Sequence, residues 1–490
     1  MPTSPKTEPA KIKTESKPLL AQTKIVATIG PASEDRIGEL IDAGMSVARI
    51  NFSHGTHEEH RRRIACVRET ADARMKAVGI LADIPGPKMR LGTFNGGKCH
   101  VRAGDLLVLR EGGGEAPKGE AYLNFTGFLG AVELGHRIVL ADGQVQLAAE
   151  RIEGDTIVAR CIQGGVLADR KGVHLPDSPI SYELPTDLDR EHLAFLKEVG
   201  VDMIGVSFVG QASELREIRG LVPGALIVAK IERSLALTNL AEILEETDGI
   251  MVARGDLGVE LDLEAIPLTQ KRLIEHAMRA GKFTITATEM LESMIESSRP
   301  TRAEVSDVAN AILDGSDAVM LSAETAVGAY PVEAVATMTN IALAIENSKR
   351  YHDQPQVAWR EGEEKFANAT ALAAVQAQEA LSIDLIAVFT ESGNTARLLS
   401  SYRPHAQIIA LSPKQSTVNQ MTILSAVTPI LFRREPSLED MLFMAAEMLV
   451  VRGIADYGTE LVFVAGTPPG IARSTNVMKL HRIGEEVRLH

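Results

Sequence analysis

Short apolar runs that stop abruptly at a polar residue recur along this chain at helix-sized intervals, a rhythm that restricts it to folds assembled from βα units. Three such runs come early, at 24–30, 46–52 and 77–83. Helical segments fit between them: one capped by Ser33 with Glu34 and Asp35 in its first turn, and a charged one over 56–73. From about 91 to 183 the rhythm breaks into alternating runs such as 106–110, 137–140 and 156–160, punctuated by glycines at 112–114 and 164–165, which predicts an all-β insert. The βα pattern then resumes with a helix near 188–199 and strands at 203–208, 226–231, 249–253, 283–287 and 318–321. Three strands and five make eight, the number that closes a (β/α)8 TIM barrel, here with an all-β domain inserted after strand 3.

The expected division is a disordered tail at 1–20, a barrel from 21–90 and 184–348, a β-barrel-like lid at 91–183, and a C-terminal α/β domain at 349–490. In the last domain a helix over 366–381 leads into strands at 384–390, 407–411, 427–432, 460–464 and 477–482. Its loop Thr390-Glu-Ser-Gly-Asn-Thr-Ala396 offers hydroxyls, a glycine and backbone N–H groups that suit a phosphate, although the motif alone is better read as an ordinary βα turn.

A net charge of −14 argues against a nucleic-acid partner. Three scattered cysteines, Cys66, Cys99 and Cys161, form no disulfide framework and fit a reducing cytoplasm. No apolar run reaches the roughly 18 residues a bilayer requires, so no membrane partner is expected.

TIM-barrel chemistry sits where the strands end. The polar residues here fall at that rim: Asn51, Ser53, Asp83, Ser207, Lys230, Glu232, Asp256, Thr288, Ser322 and Glu324. Lys230 and Glu232 are two apart on a strand and share a face. With Asp256 closing the next strand, two carboxylates converge to hold Mg²⁺, the alternative being an ion pair on a solvated rim. His54, His57 and His60 do not have zinc-site spacing. The stretch Asp83-Ile-Pro-Gly-Pro-Lys-Met-Arg90 is stiffened by two prolines and aims Lys88 and Arg90 at anionic substrates. The charges of the helix opening at 299–310 read as structural, at a subunit interface.

Seven ordered motifs, NFSHG (51–55), DIPGPKMR (83–90), KGV (171–173), VAKIE (228–232), MVARGDLGVE (251–260), ATEMLESM (287–294) and RPTRAEVSDVANAILDG (299–315) running on to MLSAETAVGAYP (320–331), resemble the pyruvate kinase family of the bacterial type. The resemblance implies glycolytic phosphoryl transfer from phosphoenolpyruvate to ADP, giving pyruvate and ATP, with Mg²⁺ or Mn²⁺. By matching position it implies Glu232 and Asp256 as metal ligands, with the Gly255 N–H and Asp256 at the substrate carboxylate. Arg49 and Lys230 neutralise the phosphoryl group, and Lys230 also steadies the enolate. Thr288 lies beside the proton transfer, with Ser322 and Glu324 in a relay. Asn51, His54, Arg90 and Lys171 fall on the nucleotide side, with the insert closing over the barrel. Many members bind K⁺ through positions matching Asn51, Ser53, Asp83 and the Ile84 carbonyl and carry glutamate where this chain has Lys88. A tethered ammonium there implies the K⁺-independent branch. Glu289, Ala323 and His174 depart from the usual glutamine, glycine and asparagine. Thr390, Ser392, Gly393, Asn394 and Thr395 resemble an effector phosphate site whose completing loop, 466–476, departs from the pattern, so a sugar phosphate, AMP or no effector stays open. A homotetramer is the family expectation. A carbon–carbon lyase or aldolase, or a scaffold without turnover, are the competing readings. Neither accounts for His54, Arg90 and Lys171 together with Lys230, Glu232, Asp256 and Thr288.

Overall fold

The computed structural model describes residues 21–141, 143–178, 180, 182–352, 365–468 and 474–485. The tail expected over 1–20 lies outside the described residues, as do 353–364 of the polar stretch before the last domain and 469–473 of its departing loop.

Eight parallel strands close into a barrel: β1 (Lys24–Thr28), β2 (Met45–Asn51), β3 (Gly79–Ile84), β4 (Met203–Val206), β5 (Leu226–Ile231), β6 (Gly249–Ala253), β7 (Phe283–Ala287) and β8 (Ala318–Leu321). Closure is made by β1 on β8, with Lys24 opposite Ala318 and Ala27 opposite Leu321. Alternation along each strand divides the side chains. Ile25 and Ala27 face the surrounding helices, whereas Val26, Val47, Leu81, Val228 and Met251 fill the barrel.

The inward cluster is continuous with the core of the C-terminal domain, reaching Ala371, Ile386 and Tyr402. That domain covers the end of the barrel where the strands begin. Arg403 pairs with Asp317, which precedes β8, at 3.2 Å, and the Ala426 N–H donates to the Gln22 carbonyl at 2.9 Å. The opposite end, where chemistry is expected, is left to the strand–helix loops and the insert. The C-terminal domain has five strands, β9 (Leu385–Phe389), β10 (Gln407–Ser412), β11 (Val427–Leu431), β12 (Glu460–Gly466) and β13 (Thr475–Arg482), in the order β11-β10-β9-β12-β13 with only β13 antiparallel.

The insert leaves the barrel after β3. It holds a six-stranded sheet that includes Leu106–Glu111, Arg137–Leu140, Val145–Glu153 and Thr156–Gln163, and its strands enclose their own core around Leu109, Phe128, Leu147 and Ile157.

The start of the first helix differs from expectation. Ser33 does not cap the first helix, α1, which runs Ile37–Ala43 with Arg36 at its N-cap and no side-chain cap. The Ser33 hydroxyl instead accepts the Gly30 N–H at 3.1 Å, closing the tight turn out of β1. The next helix, α2 (His57–Ala73), starts with a capping box formed by Thr56 and Glu59.

Candidate active site

Lys230 stands near the end of β5 with its ammonium facing three oxygens: Asp83 Oδ1 at 3.1 Å, Glu232 Oε1 at 2.9 Å and Ser207 Oγ at 2.7 Å. All three N–H donors of the ammonium are therefore engaged. The group is nearly buried, 12% exposed, so the solvated-rim alternative is excluded. Burial pulls its pKa down, but Asp83 and Glu232 outweigh burial and leave it raised.

Asp83, at the end of β3, receives a second cation. Arg49 from β2 reaches its Oδ2 through Nε at 2.8 Å and Nη2 at 2.6 Å. Burial alone would raise the Asp83 pKa, but Lys230 and Arg49 overcome it and hold the carboxyl below its ordinary value. Arg49 is in turn aimed by Thr28 of β1, whose Oγ1 accepts from Nη1 at 3.0 Å and donates to the Leu321 carbonyl of β8 at 2.8 Å. One cation is thus anchored across four neighbouring strands, β3, β2, β1 and β8.

Glu232 is compensated less completely. Its Oε2 accepts the Phe208 N–H at 2.8 Å, yet burial, only partly offset by Lys230, and the nearby charge of Asp256 push its pKa up to about 7. Burial is the largest cause, and the Lys230 ammonium and the Phe208 N–H offset only part of it. Asp256 lies in the first turn of a short helix, α4 (Arg254–Glu260), rather than at the end of β6 itself. It is half-buried and its carboxylate makes no hydrogen bond or ion pair among the described residues. One under-compensated carboxylate and one without a partner form a donor set that fits a divalent cation. Among the described residues no group of three or more His, Cys, Asp or Glu is placed to hold a metal, so a cation on these two carboxylates would need water or substrate oxygens to complete its shell.

Thr288 follows β7 with φ +67° and Glu289 with φ +54°, two successive non-glycine residues in the left-handed region. Arg254 holds this bend. Its guanidinium donates to the carbonyls of Ala287 (3.3 Å), Thr288 (2.7 Å) and Glu289 (3.3 Å) and is itself gripped by Asp307 at 2.6 Å. Asp307 belongs to α5 (Arg302–Leu313) in the stretch whose charges read as merely structural; here one of them braces the site. The Thr288 hydroxyl accepts the Gly255 N–H at 2.8 Å and donates to the Ala287 carbonyl at 2.6 Å. The N–H expected at the substrate carboxylate is thus already used within the protein.

Ser322 and Glu324 follow β8. Glu324 is buried and accepts backbone N–H groups from Ser322 at 2.7 Å and Leu291 at 3.2 Å, joining the loops after β7 and β8. On the other side of the mouth the Asn51 Oδ1 accepts the Ser53 N–H at 3.1 Å, and the Ile84 carbonyl accepts the Ser207 hydroxyl at 2.8 Å. Lys88 is half-buried and forms no hydrogen bond or ion pair with its ammonium among the described residues. Arg90 donates to the Arg170 carbonyl at 3.1 Å, and a bridge between Arg90 and Gly172 brings it beside Lys171. His54 is exposed, whereas His57 bonds His192 at 2.8 Å and His60 is buried against Phe52, so the three histidines share no metal position.

In the C-terminal loop, Thr390 Oγ1 accepts the Gly393 N–H at 3.0 Å. Thr395 Oγ1 bonds Thr475 Oγ1 at 2.6 Å, and Arg397 donates to Asn394 at 2.9 Å. Ser392 is exposed, and Gly393 adopts φ +79° as the N-cap of α6 (Asn394–Ser401).

The family model "Pyruvate kinase, barrel domain" matches residues 20–335, and "Pyruvate kinase, alpha/beta domain" matches 368–481. The chain belongs to the pyruvate kinase family. It is 42% identical to a pyruvate kinase of Methylorubrum extorquens over 468 residues, covering 95% of this chain and 98% of that protein. It is 40% identical to a pyruvate kinase of Staphylococcus aureus over 476 residues, covering 96% and 81% respectively. As a member of the pyruvate kinase family the chain is a phosphotransferase, and its eight-stranded barrel, β insert and C-terminal α/β domain are as the motifs implied. No helix among the described residues is long and apolar enough to cross a membrane.

Sequence reasoning did not assign roles to Thr28, Arg254 or Asp307, and gave Ser207 only a place on the rim. Their signal in the sequence is weak, because a strand-end threonine and a helix-borne aspartate are also ordinary caps.

Proposed function

We propose that this chain transfers the phosphoryl group of phosphoenolpyruvate to ADP with Mg²⁺ or Mn²⁺, releasing pyruvate and ATP in the cytoplasm. The observation that carries it is the Lys230 ammonium held between Asp83 and Glu232, with Arg49 on the far side of Asp83. Two fixed cations beside two carboxylates suit a reaction whose main need is charge neutralisation and alignment of anions. A divalent ion on Glu232 and Asp256 supplies, when bound, positive charge shared by both substrates. Arg49 and Lys230 neutralise the phosphoryl oxygens, and Lys230 remains beside the enolate. Thr288, with Ser322 and Glu324, lies on the side where the methylene carbon takes its proton. The Gly255 N–H turns from the Thr288 hydroxyl to the substrate carboxylate, freeing that hydroxyl. Asn51, His54, Arg90 and Lys171 take the nucleotide as the insert, 91–183, closes over the barrel. Incubation with phosphoenolpyruvate, ADP and Mg²⁺ is expected to give pyruvate and ATP in equal amounts; pyruvate without matching ATP, or no product, rejects this reading.

Activity without K⁺ is part of the same proposal. Its support is a half-buried Lys88 ammonium without a hydrogen bond or ion pair among the described residues, which must swing in to reach the Asn51, Asp83 and Ile84 oxygens that now accept protein donors. Replacing K⁺ with a tetraalkylammonium salt should leave most of the turnover; loss of most of it removes Lys88 from this role. We also assign the loop Thr390, Ser392, Gly393, Asn394 and Thr395 to a phosphorylated effector, and the assembly to a homotetramer.

A further inference from the structure

The peptide that carries the Glu232 hydrogen bond is itself held under strain. Phe208, two residues beyond β4, adopts φ +59°, a region that bulky residues avoid. Its N–H donates to Glu232 Oε2 at 2.8 Å, and its carbonyl accepts from Arg233 Nη1 at 3.4 Å. Consecutive residues of the chain thus grip both sides of one residue. The same guanidinium donates through Nη2 to the Ile180 carbonyl at 3.0 Å and lies 4.2 Å above the Tyr182 ring. Ile180 and Tyr182 belong to the segment by which the chain returns from the β insert to α3 (Asp187–Val199) of the barrel.

Both crossings between insert and barrel bear on Phe208. On the outgoing side Gly86 has φ +63° and packs so closely that a Cβ there would lie 3.2 Å from the Phe208 ring and 3.0 Å from the Ser207 carbonyl. On the returning side the Tyr182 ring stands 6.1 Å from Phe208 and 5.5 Å from Phe125 of the insert. A turn of the insert about its two crossings therefore bears on Phe208 from both sides.

We propose that Arg233 is a positioning residue that ties the posture of the β insert to the Glu232 carboxylate through the Phe208 peptide. The inference rests on the reading that Glu232 holds the divalent cation. Arg233 acts through Phe208: it fixes the Phe208 carbonyl, and so keeps the N–H on the far side of that residue aimed at Glu232. It suits the task because a planar fork can bond two carbonyls and stack on a ring at once, which a lysine cannot.

Mn²⁺ binding to the substrate-free protein, read by electron paramagnetic resonance of the free ion, tests this. Arg233→Met and Tyr182→Leu are each expected to weaken Mn²⁺ binding by about tenfold or more, as supporting residues around metal ligands typically do. Both should also speed hydrogen exchange in the returning segment. Tyr182→Phe keeps the ring and should retain most of the affinity; Arg233→Lys keeps only the charge and should not. Wild-type affinity in folded Arg233→Met and Tyr182→Leu overturns the inference. If Arg233→Met does not fold, the contrast between Tyr182→Leu and Tyr182→Phe decides it. A failure of the underlying reading looks different: wild-type protein that binds no Mn²⁺, or Glu232→Gln that binds it equally well.

Discussion

Lys230→Met is expected to lower turnover by about a thousandfold, since on the proposed reading it removes a fixed cation from the place where negative charge develops. It should also cost stability. Lys230 is the counter-ion of two buried carboxylates, and removing one partner of such a group typically costs about 3–5 kcal/mol. The loss should fall unevenly: Asp83 keeps Arg49, whereas Glu232 keeps only the Phe208 N–H and will take up a proton. Steady-state kinetics with pyruvate detection gives the first effect and urea unfolding the second. A variant within tenfold of wild-type turnover would remove Lys230 from the reaction. One equally stable would mean that the buried pair is not what holds the mouth together.

Arg254→Met is the second large effect, with turnover expected to fall about a hundredfold, the penalty for misplacing a reacting group by about an ångström. Arg254 makes no contact with a metal ligand's carboxylate; it bonds three successive carbonyls at a bend where Thr288 and Glu289 both have positive φ. Without it the bend relaxes and Thr288 moves away from the Gly255 N–H. Arg254→Lys should not rescue turnover, because a single ammonium cannot span the fork of contacts while paired with Asp307. Mn²⁺ affinity should change much less than turnover in both variants. A fall of less than fivefold in Arg254→Met, or full rescue by lysine, contradicts the bracing role.

Much of the molecule is legible before any coordinates. Eight apolar runs with polar ends locate the barrel strands, because every strand buried on both faces must be apolar until it leaves the sheet. Lys230 and Glu232 are legible as a pair because the two-residue repeat of a strand puts them on one face. Ser33 misleads for a physical reason: the residues that cap helices also close turns, and the Gly30 N–H is nearer than the start of α1.

What the sequence by itself determined is therefore the list of parts: eight strands, the interrupting β insert, and the charged residues set at the strand ends. Periodicity and local chemistry are properties of neighbouring residues, and they survive being read one stretch at a time. Only the tertiary structure decided how charge is shared. Asp83 with Arg49 is 34 residues apart, Arg254 with Asp307 is 53, and Ser207 with Lys230 is 23. Closing the barrel brings these strand ends to one rim, where burial strengthens each contact and pushes the Glu232 pKa up. That shift, set first by burial and then by the charges of Lys230 and Asp256, exists only once the strands have met.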